Sequence, residues 1–255
     1  MEFLKMEGLG NDFVVVEGAS DPAVADIVAW CDRRRGIGAD GVLLVSPSDG
    51  GVTMKYWNAD GSSAPTCGNG VRCVARLAVD KSWVPPGPFT VFTDAGPTAV
   101  EVPKDGPVRA HLGVPSSPGP EVEIAGYTFA TLTLGNPHAV TIVDDPFIFP
   151  VSAVGPIVEG DPAFPERTNV EFVAAIDRGR AAARIWERGV GETLASGTGA
   201  SAAAVVAHRA GLVDAAVTVD LAGGKLRVEI GEDGVWTEGP VTYVFSGELG
   251  APTGS

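Results

Sequence analysis

The feature that most constrains the fold of this chain is an internal duplication. Residues 56–70 resemble residues 185–199, and an offset of 129 residues aligns the two segments. This offset places Cys67 opposite Ser196, and in both copies a Gly-polar-Gly turn then opens a run of small residues. A strand followed by a glycine-rich turn and a helix is therefore predicted twice.

A second repeated pair precedes the first one in each half of the chain. Residues 10–16 resemble residues 135–141 at an offset of 125, and both segments open with Gly-Asn. Both offsets are close to half of the 255 residues. The chain is therefore predicted to contain two copies of one module, which are too few for a solenoid.

The distribution of strand-forming residues predicts the fold class. Runs rich in Val and Phe and bounded by Gly, Pro or Asp predict strands, at residues 14–16, 42–45, 52–57, 89–92, 99–102, 132–134, 139–143, 169–174, 181–186 and 226–230. Helices are predicted at residues 21–31, capped by Asp21, and at residues 200–208, ended by Gly211. Because strands outnumber helices and mostly follow one another, the predicted class is α+β.

Charge and cysteine content exclude several classes of function. The net charge of −14 argues against a nucleic-acid partner, because phosphate binding needs clustered Lys and Arg. No run approaches the roughly 18 apolar residues of a membrane span, and the acidic start does not resemble a signal peptide. Cys31, Cys67 and Cys73 are too few for a disulfide framework. A cytoplasmic protein with functional thiols is therefore expected.

The two predicted helix starts could together perform proton transfer. A helix N-terminus favours an anion, and it should lower the pKa of the Cys67 thiol from about 8.5 towards neutrality. If the two halves pack about a pseudo-twofold axis, Cys67 and Ser196 would face each other across a bound carboxylate. One group would then lie on each face of the adjacent carbon. His138 gains weight as a candidate because it follows Asn136 in the second repeated motif.

Competing motifs lack the context that they require. Residues 36–41 read G-x-G-x-x-G, but they follow an Asp-Arg-Arg-Arg run and precede an apolar run where a helix should begin. Three Cys and three His are scattered without zinc spacing. The residues after Ser196 do not form a G-x-S-x-G elbow. Cys73 lies inside a predicted helix and is expected in the core.

The sequence resembles the diaminopimelate epimerase family over nearly its whole length. The motifs that carry the resemblance occur in order at residues 10–13, 35–41, 58–62, 67–73, 135–138, 168–171 and 186–193. The resemblance implies an enzyme that interconverts LL- and meso-diaminopimelate without pyridoxal phosphate, any other cofactor or a metal. It implies two pseudo-symmetric domains, each a curled and mainly antiparallel sheet around a central helix, with the active site in the cleft between them.

The resemblance also implies domain limits and site residues. The first half spans residues 1–113, completed by residues 239–255, and the second half spans residues 114–238. Catalytic roles fall on Cys67, Ser196, His138 and Glu187. Substrate-binding roles fall on Asn11, Asn58, Gly68, Asn69, Asn136, Asn169, Arg188, Gly197 and Thr198. The expected partner is a small-molecule amino-acid substrate, diaminopimelate, and a homodimer is left open.

Ser196 is the main departure from the family pattern, which has a second Cys there. An alcohol is a far weaker acid than a thiol, so Ser196 would rarely supply a base near neutral pH. Three interpretations stay open: an engineered Cys-to-Ser change, a natural variant that handles one proton through Ser, and a changed reaction such as dehydration. An inactive amino-acid-binding relic is a further alternative.

Overall fold

The computed structural model describes residues 1–249, and these residues form 18 strands and four helices. They divide into two compact units. Among the described residues, the first contains Met1–Ala110 and Gly239–Leu249, and the second contains His111–Glu238. The limit between the halves predicted from the sequence lies three residues later, at residue 113, and the return limit at residue 239 is the same.

The first unit holds two helices and most of the early strands. Its elements are β1 (Glu2–Gly8), β2 (Asn11–Glu17), α1 (Val24–Cys31), β3 (Gly41–Ser48), β4 (Gly51–Asn58), β5 (Ser63–Ala64), α2 (Gly68–Asp80), β6 (Gly87–Thr93), β7 (Gly96–Val102) and β8 (Val108–His111). β8 ends one residue beyond the limit of this unit. After the second unit, the chain returns to the first with its final described strand (Thr242–Glu248). That final strand is β18 in chain order.

The second unit repeats this succession of elements, except that it begins with β9, which stands in the place of β18. Its elements are β9 (Val122–Ile124), β10 (Tyr127–Thr133), β11 (Pro137–Ile142), α3 (Val151–Glu159), β12 (Asn169–Asp177), β13 (Arg180–Glu187), β14 (Gly191–Thr193), α4 (Gly197–Arg209), β15 (Ala216–Leu221), β16 (Gly224–Gly231) and β17 (Gly234–Gly239).

Strand pairing follows one order in both units. In the first unit the order is β18-β1-β2-β3-β4-β6-β7-β8, with β5 also paired to β4. In the second it is β9-β10-β11-β12-β13-β15-β16-β17, with β14 paired to β13. The parallel steps are β2–β3 and β4–β6 in the first unit, and β11–β12 and β13–β15 in the second. The predicted α+β class with mainly antiparallel sheets is confirmed.

Alternation along the strands explains how each sheet packs against helices on both faces. On β2, Phe13 and Val15 belong to the cluster around α2, whereas Val14 and Val16 belong to the cluster around α1. Successive side chains of a strand point to opposite faces, so an unbroken apolar run covers both. β3 follows the same alternation.

One helix in each unit lies at the centre of its sheet. α2 contacts β1, β3, β4, β6 and β7, and α4 contacts β10, β11, β12, β13, β15 and β16. The residues of α4 are mostly Gly, Ala and Ser, and ten of them are buried. Small side chains let strands approach the helix from several sides. α1 packs on β3, and α3 packs on β12, β13 and β14.

The structure corrects three predicted helix limits. α1 begins at Val24 with Ala23 as N-cap, so the prediction of Asp21 as its cap is wrong. The Asp21 carboxylate instead accepts from Lys55 Nζ at 2.7 Å. α4 begins at Gly197, three residues before the predicted start, and ends at Arg209. The glycines predicted to form a turn are therefore the first residues of the helix, because Ser196 caps it directly.

α3 is a helix that the sequence did not indicate, and it lies against a tryptophan of β13. Pro156 lies inside α3 and Pro150 precedes it, which is a pattern typical of loops. A Cβ atom on Gly155 would lie 2.7 Å from the Trp186 ring, so only glycine permits this approach. The Trp186 Nε1 group donates to Glu159 Oε2 at 2.7 Å. No helix among residues 1–249 is long and apolar enough to cross a membrane.

Candidate active site

Cys67 is the last extended residue before α2, with φ −146° and ψ 115°, and Gly68 is the first helical residue. The Cys67 side chain is half-buried. The first backbone N–H groups of a helix lack intrahelical acceptors, and the helix dipole is positive at this end. The thiol therefore lies where an anion is stabilised.

Three of the predicted site residues of the first unit meet at the start of α2. Cys67 Sγ donates to Asn11 Oδ1 at 3.6 Å, and Asn69 Nδ2 donates to the same oxygen at 3.4 Å. Asn58 ends β4 and donates from Nδ2 to Ser62 Oγ at 3.0 Å. The structure thus brings Cys67, Asn11 and Asn69 into one cluster, while Asn58 supports the turn that follows its strand.

The other two cysteines lie in the interior of the first unit. Cys31 and Cys73 are buried, and burial raises the pKa of both thiols, that of Cys31 to about 11. The expectation that Cys73 is a core residue is confirmed. Cys67 is therefore the accessible thiol of the chain, because the three cysteines all lie within the described residues.

Arg72 is a buried cation beneath this cluster, and the sequence analysis did not single it out. Its side chain is fully buried in α2, and Nη2 donates to Asn69 Oδ1 at 2.5 Å. Nε and Nη1 have no hydrogen-bond partner among the described residues. Burial lowers the pKa of the guanidinium. The available signal was an arginine directly between Val71 and Cys73 in the first turns of α2.

An ion-pair network lies behind Asn11. Lys5 Nζ lies 2.6 Å from Asp12 Oδ2, and Arg33 Nη2 lies 2.6 Å from Asp12 Oδ1 and 2.7 Å from Asp40 Oδ1. Burial alone would raise the pKa of Asp12, but its bonds with Arg33 and Lys5 outweigh burial and lower this pKa to about 2. The network ties β1 and β2 to the loop before β3.

In the second unit Ser196 caps α4. Its Oγ accepts from Gly199 N at 3.3 Å, and the side chain is buried. Gly197 and Thr198 are the first two helical residues. Thr198 Oγ1 lies 3.5 Å from Ser196 Oγ and 3.5 Å from Asn136 Nδ2. The structure therefore brings these four predicted site residues together.

His138 joins this cluster through Asn136, and its other ring nitrogen contacts a buried carboxyl group that the sequence analysis did not assign. His138 Nε2 lies 2.8 Å from Asn136 Oδ1, and Nδ1 lies 2.7 Å from Glu171 Oε1. Both side chains of the His138–Glu171 pair are fully buried. Burial raises the pKa of Glu171, although His138 opposes this shift. The available signal was a glutamate between two apolar residues of a predicted strand.

The remaining predicted residues of the second unit lie at strand ends. Asn169 begins β12, and its amide binds backbone at both ends, donating to Pro137 O at 2.9 Å and accepting from Arg188 N at 3.0 Å. Glu187 ends β13 and is half-buried. Arg188 is exposed and donates to Glu166 O at 3.2 Å. Asn169 therefore connects the start of β12 to the turn after β13.

Two solved structures define the class of fold. A putative phenazine biosynthesis PhzC/PhzF protein from Clostridium difficile aligns with a TM-score of 0.75 at 11% identity, over 98% of this chain and 100% of its own. A predicted epimerase from Pseudomonas aeruginosa aligns with a TM-score of 0.72 at 15% identity, over 97% and 98%. The chain therefore has the fold that epimerases share with phenazine biosynthesis proteins.

The sequence comparisons identify the family. The sequence model described as diaminopimelate epimerase matches residues 3–117 and residues 130–244. The diaminopimelate epimerase of Acinetobacter baumannii strain AYE is 43% identical over 272 aligned positions, covering 98% of this chain and 97% of that protein. The chain belongs to the diaminopimelate epimerase family, and it is accordingly an isomerase that acts as an amino-acid epimerase on a small molecule.

Proposed function

We propose that this chain interconverts LL- and meso-diaminopimelate, a reaction of lysine biosynthesis. Cys67 is one proton-transferring group, and Ser196 occupies the place of the second thiol. The observation that carries this proposal is the pair of matching helix starts. The N-cap residue of α2 supplies a half-buried thiol, and the N-cap residue of α4 supplies a hydroxyl group.

The proposed step exchanges one proton for another at the α-carbon. The Cys67 thiolate takes the α-proton, and the electron pair of the broken C–H bond delocalises into the substrate carboxylate. A proton then returns to the opposite face of the carbon from the side of Ser196, assisted by Glu187 or water. Backbone N–H groups at Gly68, Asn69, Gly197 and Thr198 would stabilise the developing negative charge without a cofactor.

The distal end of diaminopimelate carries a second ammonium and a second carboxylate, which need polar partners. The resemblance assigns this role to Asn11, Asn58, Asn136, Asn169 and Arg188. Both ends of the Asn169 amide already bind backbone. We therefore assign Asn169 to holding the Arg188 backbone in place, with Arg188 as the charged partner of the distal carboxylate. A homodimer stays a prediction from the resemblance, and a cytoplasmic location stays a prediction from the sequence.

Deuterium exchange tests the proposal directly. The protein is incubated with LL-diaminopimelate in D₂O, and α-deuterium is measured in both isomers by mass spectrometry and NMR. The Ser196→Cys variant restores a thiol at the second position, so we expect its exchange to be on the order of 10²–10⁴-fold faster. Absence of α-deuterium from both isomers in both forms would refute the epimerase.

Further assays separate the alternatives that Ser196 leaves open. A dehydratase or lyase would release a keto acid and ammonia when it is incubated with a β-hydroxy amino acid in place of diaminopimelate, because diaminopimelate has no leaving group at its β-carbon. An inactive binding module would bind diaminopimelate in calorimetry without exchange, even as the Ser196→Cys variant. Fast exchange in the unaltered chain would indicate a natural variant that transfers one proton through Ser196.

A further inference from the structure

The side chain of Asn11 lies between the Asp40 carboxylate and the Cys67 thiol. Asn11 Nδ2 donates to Asp40 Oδ2 at 2.8 Å, and Asn11 Oδ1 accepts from Cys67 Sγ at 3.6 Å. An amide group carries a donor on one side and an acceptor on the other. Whichever group fixes one side of Asn11 therefore also decides what the other side offers to the thiol.

Asp40 fixes the first side of this amide. A carboxylate accepts hydrogen bonds and donates none, so the Asn11 atom at 2.8 Å from Asp40 Oδ2 is the nitrogen. Asp40 is itself held in place, because Oδ1 accepts from Arg33 Nη2 at 2.7 Å and Oδ2 accepts from Asp12 N at 3.2 Å. The oxygen of Asn11 is consequently directed at Cys67.

Arg72 requires the same orientation from the opposite end of the cluster. A guanidinium donates hydrogen bonds and accepts none, so the Asn69 atom at 2.5 Å from Arg72 Nη2 is the oxygen. The Asn69 nitrogen then points to Asn11 Oδ1 at 3.4 Å. Two charged groups of opposite sign thus fix two amides that contact each other, and both interactions require the Asn11 oxygen to face the Cys67 thiol.

We propose that Asp40 is a positioning residue that fixes the Asn11 amide so that its oxygen accepts a hydrogen bond from the Cys67 thiol. A hydrogen bond to the neutral form of an acid favours that form. Asp40 therefore holds Cys67 as an oriented thiol and opposes the effect of the helix dipole. The inference rests on the proposed function only in naming Cys67 as a proton-transferring group.

The charged groups around this cluster come from every neighbouring part of the first unit. They are Lys5 and Glu7 on β1, Asp12 on β2, Arg33 and Asp40 in the segment before β3, and Arg72 on α2. A change in net charge alone could alter the acidity of Cys67, so the test needs a control that removes a carboxylate elsewhere.

The Asp40→Asn variant reverses the donor and acceptor pattern with little change in shape. Its oxygen can keep Arg33, which leaves an NH₂ group facing the Asn11 nitrogen, so the Asn11 oxygen is no longer held in its direction towards Cys67. The rate of Cys67 alkylation by iodoacetamide is measured against pH and assigned by peptide mapping, with buried Cys31 and Cys73 as internal references. We expect the midpoint to fall by about one pH unit, so that alkylation below the midpoint is about tenfold faster.

Two further variants keep the outcome decisive. Asp21→Asn removes an exposed carboxylate of the same unit that pairs with Lys55, and it should leave the midpoint unchanged. Asn11→Ala removes the acceptor itself and should lower the midpoint even if Asp40→Asn fails to fold. The inference is overturned if Asn11→Ala, or folded Asp40→Asn, leaves the midpoint unchanged or raises it. Because alkylation needs no substrate, this result is independent of the exchange assay.

Discussion

The starts of α2 and α4 share a backbone arrangement and differ in the charges buried beneath them. In the first unit, Phe13 and Leu43 are apolar neighbours beneath α2, and Arg72 on the helix itself is a fully buried charge. At the corresponding strand positions of the second unit lie His138 and Glu171. The position of Arg72 in α4 is taken by Ser201 at the offset of 129.

This difference teaches that the duplication preserved backbone geometry and let the ionisable groups diverge. A cation beneath the Cys67 helix favours a negative charge there. The His138–Glu171 pair beneath α4 can instead exchange a proton within a buried hydrogen bond. One unit therefore carries a fixed charge near its reactive side chain, and the other carries a titratable pair.

The largest effect is expected from removing the remaining thiol in the background of Ser196→Cys. Cys67→Ser leaves a hydroxyl where proton transfer needs a thiolate, so α-deuterium exchange should fall by on the order of 10²–10⁴-fold. Serine is a good N-cap, as Ser196 demonstrates in α4, so the thermal midpoint should not fall. Retained exchange would mean that the two helix starts are interchangeable.

Next in size is the pH dependence of stability, which should have opposite signs in the two units. Asp12 has a pKa lowered from 3.8 to about 2, so its contribution is present above pH 3.8 and is lost as pH falls towards 2. We expect Asp12 to contribute about 1–2 kcal/mol to the free energy of unfolding. This is less than its pKa shift alone would give, because Asp12 and Arg33 are partly exposed and their ion pair is screened by solvent.

Glu171 has a pKa raised above 4.5, so its contribution is present below pH 4.5 and is lost as pH rises through the folded-state value. Urea unfolding between about pH 3 and 8 compares each variant with the parent. The advantage of the parent over Asp12→Asn should shrink with falling pH, and its advantage over Glu171→Gln should shrink with rising pH. If both stability advantages changed in the same direction with pH, the predicted difference between the two units would be wrong.

The smallest expected effect concerns the helix caps. Ser196 Oγ accepts from Gly199 N, whereas α2 has no side-chain cap. Ser196→Ala should therefore cost about 1 kcal/mol of unfolding free energy, and Cys67→Ala should stay within about 0.5 kcal/mol. Equal losses in chemical denaturation would show that the caps do not distinguish the two helices.

Apolar runs allowed the sequence to predict ten of the 18 strands among the described residues, and the repeated motifs predicted the two helix starts, at α2 and α4. Apolar runs mark β2, β3 and β12 because both faces of these strands pack on helices. The start of α1 was predicted wrongly because Asp21 fits a cap by residue type, while its ion pair with Lys55 depends on tertiary contacts. α3 was missed because proline is rare inside helices, and this helix contains Pro156.

Arg72 and Glu171 escaped prediction for a related reason. Local patterns place both residues on elements that otherwise read as core, and a single charge there gives no indication of its partner. Both residues are buried and bind residues of the candidate site, Arg72 through Asn69 and Glu171 through His138. The Glu171–His138 contact also joins segments that are distant in the sequence. Motif spacing finds the reactive groups, whereas the groups that orient them require coordinates.

The tryptophans at the ends of β4 and β13 give each unit its own optical probe. Trp57 is packed against the α1 cluster and directly precedes Asn58, whereas Trp186 is half-buried, hydrogen-bonded to Glu159 and directly precedes Glu187. Indole emission responds to polarity and to nearby carboxylates. Keeping one of these two residues at a time, with the other four of the five tryptophans replaced by phenylalanine, would let fluorescence report ligand arrival at each half of the duplication separately.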